Sequence, residues 1–193
     1  MEPDATEARY LTGKPRPVAK HRSLARPRNS GFTLVELLVT VAVLLILVTV
    51  AIPGYQRFIA RNEVAAEVMR LKTALAMTRS AAITRRHTVT LCPSTNMTQC
   101  QIDNNAGGKA WLATLAIFDG RGEPGDELIR AFGESALPAL TYRNDDRPVR
   151  YAALGHSSGY NGTFRLCGRH DEGAKVIVNN VGRVRVDSDR PEC

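Results

Sequence analysis

The chain has 193 residues, with 26 Lys and Arg against 19 Asp and Glu, a formal charge of +7. Hydrophobic residues make up 44% and charged residues 23%, which excludes a wholly disordered chain, a collagen and a multi-spanning membrane protein. Four cysteines are too few for a disulfide-dense mini-protein but enough for two bridges.

Residues 1–31 carry Arg9, Lys14, Arg16, Lys20, Arg22, Arg26 and Arg28 against Glu2, Asp4 and Glu7, a net +4. Four prolines are scattered through them and no apolar period runs along them, so they read as an unfolded basic arm. Removing them leaves 19 basic and 16 acidic residues, so most of the charge excess belongs to the arm and an argument for nucleic acid from overall charge fails. The run 32–52 is 21 residues with one charge, Glu36. At about 1.5 Å per residue it matches a hydrocarbon layer of about 30 Å. A buried soluble helix is the competing reading, weakened by the length and by the lack of a polar face. The lysines and arginines precede the run, so residues 1–31 are expected in the cytoplasm and the rest across the inner membrane.

A secretory signal would place small residues after the apolar run. Here Pro53-Gly54-Tyr55-Gln56 follows, and the small residue, Gly31, comes before. In Gly31-Phe32-Thr33-Leu34-Val35-Glu36 the sequence resembles the type IV prepilin family. The resemblance implies cleavage after Gly31 by a prepilin peptidase and methylation of the new amine on Phe32. It gives Glu36 a partner, the N-terminal amine of a neighbouring subunit. The alternative for Glu36 is a carboxylate snorkelling at the membrane face.

After Pro53 and Gly54 the helical period resumes. Tyr55, Phe58, Ile59, Val64, Val68, Leu71, Leu75 and Ile83 form an apolar stripe, with Arg57, Arg61, Glu63, Glu67, Arg70, Lys72 and Arg79 on the polar side. One helix over about 33–85 is expected, kinked near Pro53, its first half in the membrane and its second half packed on a head. The arginines of 57–86 read as a solvated face, with DNA or lipid headgroups as the rival reading.

Beyond Arg86 the period becomes two. Strands are expected at 88–92, 111–118, 127–132, 149–154, 162–167, 174–178 and 184–186. Turn-forming clusters separate them, such as Asn104-Asn105-Ala106-Gly107-Gly108 and the stretch from Asp119 to Gly125. No crossover helices lie between them, so the sheet is mostly antiparallel. The expected segments are a leader 1–31, a membrane or filament-core helix 32–53, an amphipathic continuation 54–86 and a β-rich head 87–193.

All four cysteines fall in the head, as suits an oxidising compartment. Three pairings are open; Cys92–Cys100, closing a short polar loop, and Cys167–Cys193, tying down the tail, are favoured. Zinc is disfavoured, because no Cys-x-x-Cys pair exists and His21, His87, His156 and His170 form no ligand pattern.

The series Leu91-Cys92-Pro93-Ser94, Cys100, Trp111, Phe118-Asp119, Gly162 to Cys167 and Gly182-Arg183-Val184-Arg185 is similar to the GspH/FimT branch of minor pilins and pseudopilins. That resemblance implies an α+β fold, with a long N-terminal helix packed on a head of two small antiparallel β-sheets. It also implies other pilins as partners through the helix.

Enzymatic readings are weak, and no cofactor or metal is expected. Asp119, Glu123, Asp126 and Glu127 suggest calcium, but Arg121 interrupts them and a solvated turn is the simpler reading. His156-Ser157-Ser158 lacks a nucleophile elbow and an acid partner. The basic tail is more informative: Arg165, Arg169, His170, Lys175, Arg183, Arg185 and Arg190 lie in the last 29 residues. In an extended segment Arg183 and Arg185 share a face, and Gly182 leaves room for a phosphate backbone. Arginine forks suit phosphate oxygens without reading bases. A solvated strand is the plain alternative. Gly182-Arg183-Val184-Arg185 resembles the Gly-Arg-x-Arg motif with which FimT-type pilins bind double-stranded DNA in natural transformation. The resemblance makes Arg183 and Arg185 the expected contacts, with support from Gly182, Lys175, Arg165 and Arg169. Asp187, Asp189 and Glu192 lower the local field.

Overall fold

The computed structural model describes residues 31–102, 109–143, 147–187, 189 and 191–193. The leader up to residue 30, the 104–108 turn and Arg190 lie outside the described residues. Contacts divide the chain into two units, 1–42 and 43–193.

Helix α1 spans Leu34–Arg85. Its start is set by Thr33, whose Oγ1 accepts the Glu36 amide at 3.2 Å. That hydrogen bond satisfies one of the free donors of the first turn, where the Glu36 carboxylate also opposes the positive helix end. The helix continues through Pro53, which forfeits one main-chain hydrogen bond without ending it. It stops at Arg86, whose φ of 58° is left-handed. Every residue from 31 to 59 is exposed, and the helix is long and apolar enough to cross a membrane.

The second half of α1 packs through a line offset from the expected stripe. The buried residues are Ala60, Val64, Glu67, Leu71, Ala74, Leu75, Thr78 and Ala82. Tyr55, Phe58, Ile59 and Ile83 are exposed instead. The alanines explain the offset: small side chains at 60, 74 and 82 let the helix approach the sheets closely, and the large residues fall outside the contact line.

The arginines of this stretch are only partly a solvated face: Arg57 and Arg86 are exposed, while four others reach partners on the head or helix. Arg61 pairs with buried Glu172 at 2.8 Å. Arg70 pairs with Glu67 at 2.7 Å and also donates to the Gly133 carbonyl. Arg79 donates to the carbonyls of Gly155 at 3.2 Å and Val181 at 3.3 Å. Arg85 pairs with Asp119, and with Glu127 at 3.3 Å. Glu67, expected on the polar side, is buried because Arg70 neutralises it.

Among the described residues eight strands follow: β1 Val89–Pro93, β2 Leu115–Asp119, β3 Glu127–Phe132, β4 Ala139–Tyr142, β5 Val149–Tyr151, β6 Gly162–Cys167, β7 Gly173–Val178 and β8 Val184–Asp187. They form two four-stranded antiparallel sheets, ordered β3-β2-β1-β5 and β4-β6-β7-β8. Three expectations change. Residues Ala110–Leu112 are a 3₁₀ turn, so β2 begins only at Leu115. β5 ends at Tyr151, because Ala152 and Gly155 close a tight turn through the Gly155 amide and the Ala152 carbonyl, 2.7 Å apart. β4 was not expected.

One core lies between α1 and the inner faces of both sheets, with Leu71 and Leu75 against Leu91, Ile117, Leu140, Phe164 and Val176 among others. Trp111, Tyr142 and Phe164 form its aromatic centre. Trp111 meets Tyr142 and Phe164 edge-on at 5.4 and 5.0 Å, and Tyr142 stacks on Phe164 at 4.2 Å. The far side of β1 and β2 is covered too: Cys92, Ala116 and Phe118 pack with Cys100 and Leu128. Two covered faces explain the unbroken apolar run of β2. The Cys92–Cys100 bridge pins this cover, and Gly122, at φ +81°, leaves room that a side chain would take from the Cys100 sulfur.

Burial raises the Tyr142 pKa strongly and pushes that of Tyr151 up to about 12, with Arg79 opposing the second shift in part. Both favour the neutral phenol in the folded state. Their contribution to stability is therefore complete below pH ~10 and is lost as pH rises through pH ~12. Alkaline titration should show two of the five tyrosines ionising together with unfolding. Ionisation of all five before any loss of circular dichroism would contradict this.

Candidate functional site

Two regions carry the expected site residues, one in each unit. In the first, Gly31 and Phe32 are exposed and immediately precede the Thr33 cap. A Cβ added to Gly31 would meet nothing within 4 Å. No packing among the described residues demands glycine there. Glu36 is exposed in the first turn of α1. The Thr-x-x-Glu cap was missed in the sequence, although its spacing is a helix-start signal.

In the second region, the β6–β7–β8 register sorts the basic tail. Arg165 lies opposite Lys175, and Lys175 opposite Asp187. Arg185 lies opposite Ile177, one row along. Their neighbours Phe164, Leu166, Val176 and Val178 are buried, so alternation puts Arg165, Lys175 and Arg185 on the outward face. Arg183 is exposed just before β8, its amide held by the Asn179 Oδ1 at 2.8 Å. Among the described residues, no carboxylate lies within ion-pair distance of Arg165, Lys175, Arg183 or Arg185.

Two supporting residues sit differently from expectation. Arg169 lies in the turn before β7, whereas Arg183 lies beyond its far end, about 20 Å away along a six-residue strand. Gly182 is buried at φ +77°, and a side chain there would run into the Gly155 carbonyl and the Tyr151 ring. Its lack of a side chain serves close packing inside the head, not an open approach for phosphate.

The Cys167–Cys193 bridge joins β6 to the tail across 26 residues, enclosing Lys175, Arg183 and Arg185. The loop-entropy model assigns such a closure about 3–3.5 kcal/mol. Three of the four acids considered for calcium are engaged elsewhere, and Glu123 is exposed. Asp119 and Glu127 pair with Arg85, and Asp126 Oδ2 accepts the amides of Gly122 and Glu123 at 2.7 and 2.9 Å. His156 and Ser158 are exposed while Ser157 is buried, so these sequence neighbours do not converge.

Comparison with known proteins agrees with this layout. The family model for the type II transport protein GspH matches residues 67–182, and the prokaryotic N-terminal methylation motif matches 26–52. The crystal structure of the type IV minor pilin FimU of Pseudomonas aeruginosa superposes with a TM-score of 0.53 at 20% identity, covering 70% of this chain and 97% of that one. The type IV major fimbrial protein FimA of Dichelobacter nodosus is 46% identical over 50 residues, which are 24% of this chain and 32% of that one. The chain thus spans about a third of the length of the curated relatives it matches. Its fold, a long N-terminal helix on two antiparallel sheets, is that of type IV pilins, and the chain is a subunit of the minor pilin or pseudopilin class. It belongs to the GspH family.

Proposed function

We propose that this subunit is cut after Gly31 and methylated on Phe32, and that it enters a type IV pilus-type filament, near the tip, through α1. Its leader stays in the cytoplasm and its head in the periplasm before assembly. At the tip the head binds double-stranded DNA without sequence preference, for uptake in natural transformation. The observation that carries the DNA reading is the exposed pair Arg183 and Arg185, free of carboxylate partners among the described residues, with Arg185 on the same sheet face as Lys175 and Arg165 one row along. Neighbouring Asp187 limits the strength, so affinity is micromolar or weaker, and repetition along a filament compensates.

The test is DNA binding by the full chain in detergent, wild type against Arg183→Gln with Arg185→Gln. Wild-type affinity should fall with salt by about 0.9 log unit per log salt for each phosphate contacted. The double variant should bind more weakly with a shallower slope. Equal binding at equal salt removes the DNA site.

The GspH match supports a second reading, a type II secretion pseudopilin or pilus-priming subunit without DNA. Deleting the gene separates the two: transformation falls under the first, and secretion of exported proteins under the second.

A further inference from the structure

We propose that a recess beside β5 binds a phosphate group, independently of Arg183 and Arg185. The recess is about 360 Å³ and is lined by Arg121, Arg150, His156, Thr88, Ser158 and Tyr160. Its floor is the Arg150 guanidinium, which is half-buried and fixed on three sides. Nε donates to the Thr90 hydroxyl at 3.1 Å, Nη1 to the Tyr160 hydroxyl at 2.6 Å and Nη2 to the Arg121 carbonyl at 2.8 Å. The guanidinium also lies over the Tyr160 ring, 4.6 Å from its centre. These bonds use three of the five N–H groups of an arginine and leave two.

What sets Arg150 apart is that a half-buried guanidinium held on three sides has no counter-ion among the described residues. Arg61, Arg70 and Arg85 each reach a carboxylate. Arg150 has none among the described residues, nor have Arg121 and His156 at the same recess. A half-buried, immobilised cation without an acid leaves a charge to be met from outside.

The wall is held as firmly as the floor. The His156 carbonyl accepts the Ala152 amide at 2.9 Å, the Ser157 amide donates to the Asn180 carbonyl at 2.9 Å, and the Tyr160 amide to the Ser157 carbonyl at 3.0 Å. The loop that carries His156, Ser158 and Tyr160 is thus built before any ligand arrives. An arginine fork with hydroxyls at its sides suits an oxyanion with more than two oxygens. Phosphate meets that description and a planar carboxylate meets it less well. The group's source is a small phosphate ester or the backbone of a nucleic acid.

The test uses the full chain in detergent and phosphorus-31 linewidths of inorganic phosphate. Saturable broadening is expected, displaced by sulfate but not by acetate at equal ionic strength. Arg121→Gln with His156→Gln, both exposed side chains, should weaken binding about tenfold, as should Arg150→Lys, which keeps the charge and loses the fork. Arg183→Gln with Arg185→Gln should leave phosphate binding unchanged, which separates this site from the DNA face. If the Arg121/His156 variant also binds duplex DNA more weakly, the source is nucleic acid; if duplex binding is unchanged, it is a small phosphate ester. Absence of saturable broadening, equal binding by all variants, or displacement by acetate as effective as by sulfate overturns the proposal.

Discussion

Replacing Glu36 with alanine should leave the chain inserted and cleaved but absent from filaments. A carboxylate within the bilayer costs about 2.5–3.5 kcal/mol on insertion scales, so its retention there calls for a partner. Under the proposed role that partner is the Phe32 amine of a neighbouring subunit. The structure adds a rival cause, because Glu36 sits in the capped first turn of α1 and its amide is held by Thr33. Glu36→Gln separates the two. Glutamine supports the helix start almost as well as glutamate but cannot neutralise an amine. If the charge matters, both variants are excluded from sheared filaments while membrane fractions contain processed subunit. Recovery of Glu36→Gln in filaments at the wild-type level would leave capping as the sole role.

The second large effect is expected at Trp111. Its side chain is fully buried and touches both Tyr142 and Phe164. Truncation of a buried tryptophan to alanine costs about 3–5 kcal/mol, against a total stability of about 5–15 kcal/mol for a typical domain. Trp111→Ala should therefore lower the denaturant midpoint severely or leave little folded head. Trp111→Phe should cost much less. Its Nε1 has no hydrogen-bond partner among the described residues, so the phenyl ring forfeits volume but no polar contact. Chemical denaturation of both variants checks the order, and a loss below about 1 kcal/mol for alanine would show that the aromatic centre is not where the head is held together.

The helix and most strands could be read from the chain because their signals are long or regular. The run from Leu34 and the alternation in β6 and β7 leave little choice of element. β4 escaped because it has four residues, follows Leu137-Pro138, and alternates only between Leu140 and Tyr142. Trp111 looked like the start of a strand because its apolar neighbours resemble one. Its burial comes instead from a turn that aims the indole at β4 and β6. The Arg183–Arg185 pair was visible as a local motif. The sorting of the other basic residues was not, since it depends on register: Arg165 and Lys175 lie opposite each other, one row from Arg185 on the same face, while Arg169 goes to the opposite hairpin end. Arg150 gave no sequence signal at all, because a lone arginine in a short strand acquires its surroundings only from β1 and two distant loops.

The bridge from Cys167 to Cys193 has a mechanical meaning. Among the described residues β8 is an edge strand, paired with β7 alone. A ligand pulling on Arg183 or Arg185 pulls on that edge. With a free tail, the strand would peel away one rung at a time, the weakest way for a ladder to fail. The bridge anchors the chain beyond β8 back to β6, so tension enters the sheet from both ends of β8 and divides among its rungs. Under the proposed DNA role, an oxidised head should then hold under a load that peels β8 from a reduced one, although both would bind through the same side chains.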